Sequence, residues 1–432
     1  MTAPLDGILV LDLSLGLFGP YCGMMLADMG AEVIKIERAD VGEGMRYAYL
    51  SHIEPGMGVS WAGVNRGKKS LALDIRAPAG REVFLKLVRN ADVVLQNFRP
   101  GVMERLGYGY AELSKINPRL IMASLSGYGQ TGPHSQRAGQ DLLTQAYAGI
   151  IALQGYQDGE PVSVGTPIAD GIGAVTGAWG VALALYAREK HGVGQEITSN
   201  LADALLALSP MDWADYLHSG LLRKGGRGWY ANMPYGPWKA RDRDIVVMFQ
   251  NDVGWTEFCI AIEHPELEHD PRFAANAGRL ANRQALEEVL KPIFRGRDAA
   301  EWQQLLGAMG VRCDLVYNYR DLEQDPQTAI NQMIVEQTHP RYGPVRTVGQ
   351  AVKLTGTPGA AYDSDHLPPP MFAEHTAAIL HGLGYDDAAI AEMEAAGVVN
   401  TKGLPPGLTI AEAWATINGR PRAEVKGPGL SW

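Results

Sequence analysis

Asp170, in GTPIADGIGA, stands just ahead of a long apolar helical pattern that begins near Ile172. An aspartate in that place is most often a helix N-cap. The place also suits a nucleophile. The helix N-terminus favours the anion, so the carboxylate stays ionised at neutral pH, and Gly171 and Gly173 leave space for a substrate. Carboxylates are competent covalent nucleophiles toward an activated electrophile such as a thioester. A second stretch, Gly127-Tyr128-Gly129-Gln130-Thr131-Gly132, fits G-x-G-x-x-G directly after a strand-like run. Pro133 follows at once, no helix opens at Gly132, and no acid stands about 20 residues on, which disfavours a nicotinamide dinucleotide. Clustered glycines still let backbone N–H groups approach an oxyanion or phosphate, the plainer alternative being a flexible loop.

Arg38, Arg66, Lys68, Lys69, Arg76 and Arg105 are scattered over the N-terminal region. Singly each reads as a solvated charge, but several follow strand ends, where ligands of open α/β sheets collect. His134 is a candidate general base, although a lone loop histidine is more often incidental, and Asp141 in AGQDLL reads as an acid at a helix start. Ten histidines show no HxxxH or HExxH spacing, and Cys22, Cys259 and Cys313 form no CxxC, so no metal is expected and a reducing cytoplasm fits.

These residues need elements to hold them. Gly7–Leu13, Glu32–Glu37, Leu71–Ile75, Asp92–Phe98 and Leu120–Leu125 read as strands, and Pro20–Met29, Ala79–Arg89 and Tyr110–Ile116 as helices. The alternation predicts βαβ units and a parallel sheet covered on both faces. Longer helices follow at Gln140–Leu153 and Ile172–Lys190, then a Gly-rich cationic break at Gly220–Tyr235. A strand at Asp244–Met248 and helices at Trp255–Ile262, Gln284–Ile293 and Ala299–Met309 predict a smaller α+β domain. Thr376–Gly397 reads as helical and Thr401–Trp432 as an extended surface tail.

With 432 residues, 46% apolar and 20% charged, the chain is globular in composition. Its 48 acidic against 38 basic residues give a formal charge of −10, which argues against nucleic acid or an anionic membrane as the main partner. The start MTAPLDGILVLDL has no basic region before its apolar stretch, so no signal peptide is expected. The uncharged run Gly171–Ala187 is shorter than the roughly 20 residues that span a bilayer and reads as a buried helix.

GPYCGMMLADMGAEVIKIER, NRGKKSLALDI, ADVVLQNFRPGVMERLG, NPRLIMASLSGYGQTGP, GQDLLTQAYAG, IADGIGA, HGVGQEI and EHTAAILHGLGY occur in this order, and together they resemble the class III CoA-transferase family, over about residues 5–400. That family also holds CoA-thioester racemases and carnitine CoA-transferases. The resemblance implies an α/β fold with a large Rossmann-like, parallel-sheet domain and a smaller α+β domain, in interlocked homodimers. On this chain that gives residues 1–215 as the first part of the large CoA-binding domain, 216–235 a linker, 236–330 the small domain, 331–400 a linker and return, and 401–432 a C-terminal extension. It places the nucleophile on Asp170 and CoA contacts on Arg38, Leu73, Arg76, Asn97, Phe98 and Arg105. The thioester would lie by Gly127, Tyr128, Gly129, Arg137, Gln140 and Asp141. CoA is implied as a co-substrate, with no tightly bound cofactor and no metal.

The family's racemases carry a histidine where this chain has Gln140, which argues for acyl transfer over α-proton exchange. The tetraglycine loop of formyl-CoA:oxalate members is absent after the linker, where PYGPWKARDRD stands, and Ser126 replaces their lysine. The expected activity is therefore transfer of CoA from an acyl-CoA to a free carboxylic acid through an aspartyl mixed anhydride and an aspartyl-CoA thioester. The alternatives are a CoA-thioester racemase or epimerase, a nicotinamide dehydrogenase using GYGQTG, and an inactive CoA-binding subunit.

Overall fold

The computed structural model describes residues 3–48, 52–155, 160–222, 232–249, 252–363 and 365–419. Much of the expected 216–235 linker (223–231) and the last part of the extension (420–432) lie outside these. In chain order the elements are β1 (Leu9–Asp12), α1 (Phe18–Asp28), β2 (Glu32–Glu37), β3 (His52–Glu54), β4 (Met57–Gly58), α2 (Val59–Ala62), β5 (Lys68–Leu73), α3 (Pro78–Asn90), β6 (Val93–Gln96), α4 (Val102–Arg105), α5 (Tyr110–Ile116), β7 (Ile121–Ser126), α6 (Asp141–Tyr147), α7 (Ile150–Leu153), α8 (Ile168–His191), β8 (Glu196–Asn200) and α9 (Leu201–Leu208). Further strands are β9 (Tyr235–Lys239), β10 (Asp244–Met248), β11 (Arg312–Leu315), β12 (Ile334–His339), β13 (Gly343–Val348) and β14 (Val399–Asn400).

The chain divides into two units, one of residues 1–148, 165–213 and 329–432, the other of 149–164 and 214–328. In the first, seven strands run in the order β14-β5-β2-β1-β6-β7-β8. All pairs are parallel except β14 with β5. From β1 the chain moves outward through β2 to β5, then returns to β6 on the other side of β1. The direction of winding thus reverses between β1 and β6, where open α/β sheets bind ligands. Leu11, Ile34, Leu71, Val94 and Met122 from the strands meet Val83, Phe84, Leu87 and Val88 of α3 in one core. Pro78 suits the first turn of α3, since its missing N–H would have no helical partner.

Several expected spans change for physical reasons. The strand expected at Leu71–Ile75 begins at Lys68, because Lys68 and Ser70 are buried polar residues with partners. Lys68 pairs with Asp12 and Arg66 with Asp28, all buried, which removes both cations from any phosphate site; Lys69 pairs with Glu32. Gln140–Leu153 is two helices broken at Gly149, whose φ is +80°. Thr376–Gly397 likewise breaks around Gly384, at φ +86°, into Thr376–Gly382 and Asp387–Ala395. α8 is the one helix among the described residues long and apolar enough to cross a membrane, and it is not buried all round: 39% of its most apolar stretch is buried, while Val175, Trp179, Leu183 and Tyr186 are exposed. The expected tail after Thr401 contains a helix, Ile410–Ile417, started by a Thr409–Glu412 capping box and packed through Leu408 and Ala413 on Val41 and Tyr47.

The second unit holds the antiparallel sheet β11-β10-β9 and helices at Trp255–Ala261, Arg283–Phe294 and Ala299–Ala308. Trp238, Phe258, Phe294 and Trp302 fill its core.

Candidate active site

α8 begins at Ile168, so Asp170 is its third residue and not its N-cap. Pro167 holds the cap position and offers no side-chain acceptor. The acceptor comes from α6: Asp141 Oδ1 takes hydrogen bonds from the N–H groups of Ala169 (2.6 Å) and Asp170 (3.2 Å). The other Asp141 oxygen accepts from the Gln145 amide. Both Asp141 oxygens are thus engaged within the chain, whereas the sequence placed Asp141 against substrate. The Asp170 carboxylate is half-buried and makes no ion pair or hydrogen bond among the described residues. Burial first, then the Asp141 charge, push its pKa up to about 7. The expectation that the helix end keeps it fully ionised therefore fails, because the N–H groups that would do so are occupied by Asp141. Gly171 faces open space beside the carboxylate, but Gly173 does not: a Cβ there would lie 2.9 Å from Phe18 and Leu201.

The glycine loop follows β7, and residues 127–140 form no helix before α6. Gly127 meets Gly139 backbone to backbone; a Cβ on either would lie 2.3 Å from the other's Cα. That approach brings Gln140 and Asp141 to the loop. The Gly129 N–H donates to Ser126 Oγ at 3.0 Å, so it is not free for an oxyanion in this conformation. The Tyr128 hydroxyl is buried without a hydrogen-bond partner among the described residues. The Tyr128 ring meets His134 and Tyr147 edge-on, and the Arg137 guanidinium lies 5.0 Å from its centroid.

The expected CoA contacts gather on the carboxyl edge of the sheet. Glu37 pairs with Ala72, so Arg38 and Leu73 leave β2 and β5 side by side. Leu73 is buried. Arg38 pairs with Asp40 at 2.5 Å and also donates to the carbonyls of Thr416 and Ile417. Arg76 is closed on Asp74. Asn97 donates to Leu15 O (2.7 Å) and accepts from Leu15 N (2.8 Å), which ties the loop after β1 to the loop after β6. Phe98 packs on the core, and Arg105 ends α4, exposed and without an ion pair or side-chain hydrogen bond among the described residues. A cavity of about 590 Å³ in the same unit is lined by Glu54, Arg341, Glu374 and Lys402 among others, and by none of these site residues.

Among the described residues no cluster of three His, Cys, Asp or Glu suits a metal. The Cys22 thiol is buried and pushed up to about 12, a poor nucleophile. Sequence reasoning missed the Asp141 cap of α8, the Asn97–Leu15 clamp and the contact of Gly127 with Gly139; only the AGQDLL helix start signalled any of them.

The chain is similar to known CoA-transferases. An acetyl-CoA:oxalate CoA-transferase of Acetobacter aceti is 38% identical over 382 residues, covering 87% of this chain and 95% of its own. A human succinyl-CoA:glutarate CoA-transferase is 34% identical, covering 92% and 90%. The crystal structure of a CAIB/BAIF family protein from Brucella suis superposes with a TM-score of 0.81 at 30% identity, over 89% of this chain and all of its own. The sequence model of CoA-transferase family III matches residues 5–376, and the chain belongs to that family as a class III CoA-transferase.

Proposed function

We propose that the chain moves CoA from an acyl-CoA to a free carboxylic acid with Asp170 as the covalent relay. An Asp170 oxygen attacks the thioester carbonyl; the C–S bond breaks and CoA leaves as thiolate, giving an aspartyl-acyl anhydride. The thiolate attacks the aspartyl carbonyl, releasing the donor acid and leaving an aspartyl-CoA thioester. The acceptor carboxylate attacks that thioester, and the returning thiolate takes the acceptor acyl group and frees Asp170. The carrying observation is a half-buried carboxylate with no cation partner among the described residues, in the first turn of α8 beside the glycine loop. Proton exchange at carbon has no histidine at 140 to serve it. The two relatives act on oxalate and glutarate by name, so small dicarboxylic acids are the proposed acceptor class.

The test is chemical trapping. With acetyl-CoA or succinyl-CoA and hydroxylamine, mass spectrometry should find a hydroxamate on the peptide holding Asp170. An unmodified peptide during full turnover would refute the relay.

For CoA itself, Arg105 at the end of α4 is exposed and has no ion pair or side-chain hydrogen bond among the described residues. Arg105→Ala should raise KM for acyl-CoA about tenfold with kcat little changed. Arg76→Ala should change it less than about threefold, since that guanidinium is 70% exposed and already paired. Steady-state kinetics on both variants decide this. Pairing of two chains over the exposed Val175–Tyr186 stripe of α8 is part of the proposal, as is a cytoplasmic location, where the three unpaired cysteines stay reduced.

A further inference from the structure

α8 is capped by a residue of another helix, and that residue faces the nucleophile with a like charge. We propose that Asp141 is a positioning residue for the acyl transfer: by occupying the N–H groups at the start of α8 it fixes that turn and denies the Asp170 anion their stabilisation, which keeps Asp170 a strong nucleophile. The inference rests on Asp170 being the acyl acceptor.

Helix-start N–H groups are natural partners for an anion. Those of Ala169 and Asp170 both point at Asp141 Oδ1. Gln145 holds the second oxygen, so the carboxylate is fixed from both sides. α1, α6, α9, β7 and β8 pack on α8. Their other titratable groups are engaged elsewhere or buried: Asp28 with Arg66, Asp203 with the Asn200 amide, Glu196 with Ser124, Tyr147 beside Arg137, Cys22 in the core and Tyr21 largely buried near Arg66. Among the described residues, Asp141 is left as the charge acting on Asp170.

The effect has the right sign for catalysis. As the Asp170 oxygen bonds to the acyl carbon, its charge passes to the departing sulfur and the anhydride formed at position 170 is neutral. Repulsion from Asp141 is present in the ground state and fades along the reaction, so it lowers the barrier. The raised Asp170 pKa accords with this.

Asp141→Asn separates charge from shape. The asparagine keeps an oxygen for the two N–H groups, and Gln145 can turn its amide to suit. The readout is the pH profile of single-turnover acylation by acetyl-CoA or succinyl-CoA, trapped with hydroxylamine, with thermal melting alongside. In the wild type the rate should rise through about pH 7. In Asp141→Asn the midpoint should fall by about one pH unit and the plateau rate by about 3- to 10-fold, with melting not lowered. Asp141→Ala should also lower melting, since α8 loses its cap. An adduct on wild-type Asp170 with an unmoved midpoint in Asp141→Asn, or a change confined to KM for the acid, overturns this inference alone. Absence of the adduct from wild-type Asp170 overturns the relay itself, and this inference with it.

Discussion

Asp170→Ala should lose CoA transfer by about 10³-fold or more and, above pH 7, melt at a higher temperature than the wild type. Both effects come from one side chain held in an unfavourable place. Its pKa stands at about 7 in the folded protein against an ordinary 3.8. Between those values the folded chain keeps a proton that the unfolded chain has released. Stability contributed at this position therefore falls as pH rises from about 4 to about 7 and levels off above. The full displacement is worth at most about 4 kcal/mol, and water at a half-open carboxylate cuts that to about 2 kcal/mol. The alanine variant escapes this cost, so its advantage should be small near pH 4, grow to pH 7 and then hold, with a rise in Tm of about 3 °C. Wild-type activity should run the other way and fall as pH drops below about 7, because the anion is the proposed nucleophile. Paired melts at pH 5 and pH 8 test it. Equal melting temperatures at pH 8 would show that Asp170 is not strained as its burial and the Asp141 charge require.

Several elements were legible from residues alone. Glu32–Glu37, Tyr110–Ile116 and Asp244–Met248 have the expected bounds. Short apolar runs between turn residues have few alternatives once both faces are covered. Asp170 was legible as a residue but not in its surroundings. Its helix starts two residues before Asp170 because Asp141, 29 positions upstream, supplies the cap that Pro167 lacks. A local pattern holds no record of such a pairing. The same blindness put Arg66 and Lys68 on the surface: their partners Asp28 and Asp12 are 38 and 56 residues away. The terminal helix shows the opposite case. Thr409-x-x-Glu412 was a readable start signal, masked by the Pro/Gly composition around it.

The contact between Gly127 and Gly139 gives the second large expectation. Gly127→Ala and Gly139→Ala should each reduce kcat/KM about 100-fold, because an added methyl meets backbone with nothing flexible to yield. Neither glycine has a positive φ, so alanine is conformationally acceptable at both, and the damage comes from the approach alone. The Ala202 N–H holds Gly127 O at 3.1 Å, which anchors the loop on that side. The 139–141 segment must therefore move, and Asp141 moves with it, away from a 2.6 Å hydrogen bond to Ala169. The two variants break one contact, so the double variant should be little worse than either single, a coupling that independent sites do not show. Gly382→Ala, where a Cβ meets nothing within 4 Å, should leave activity unchanged. Full activity in either single variant, or losses that multiply in the double, would mean that the glycine loop does not set the position of Asp141, and that the start of α8 is held in register by other contacts.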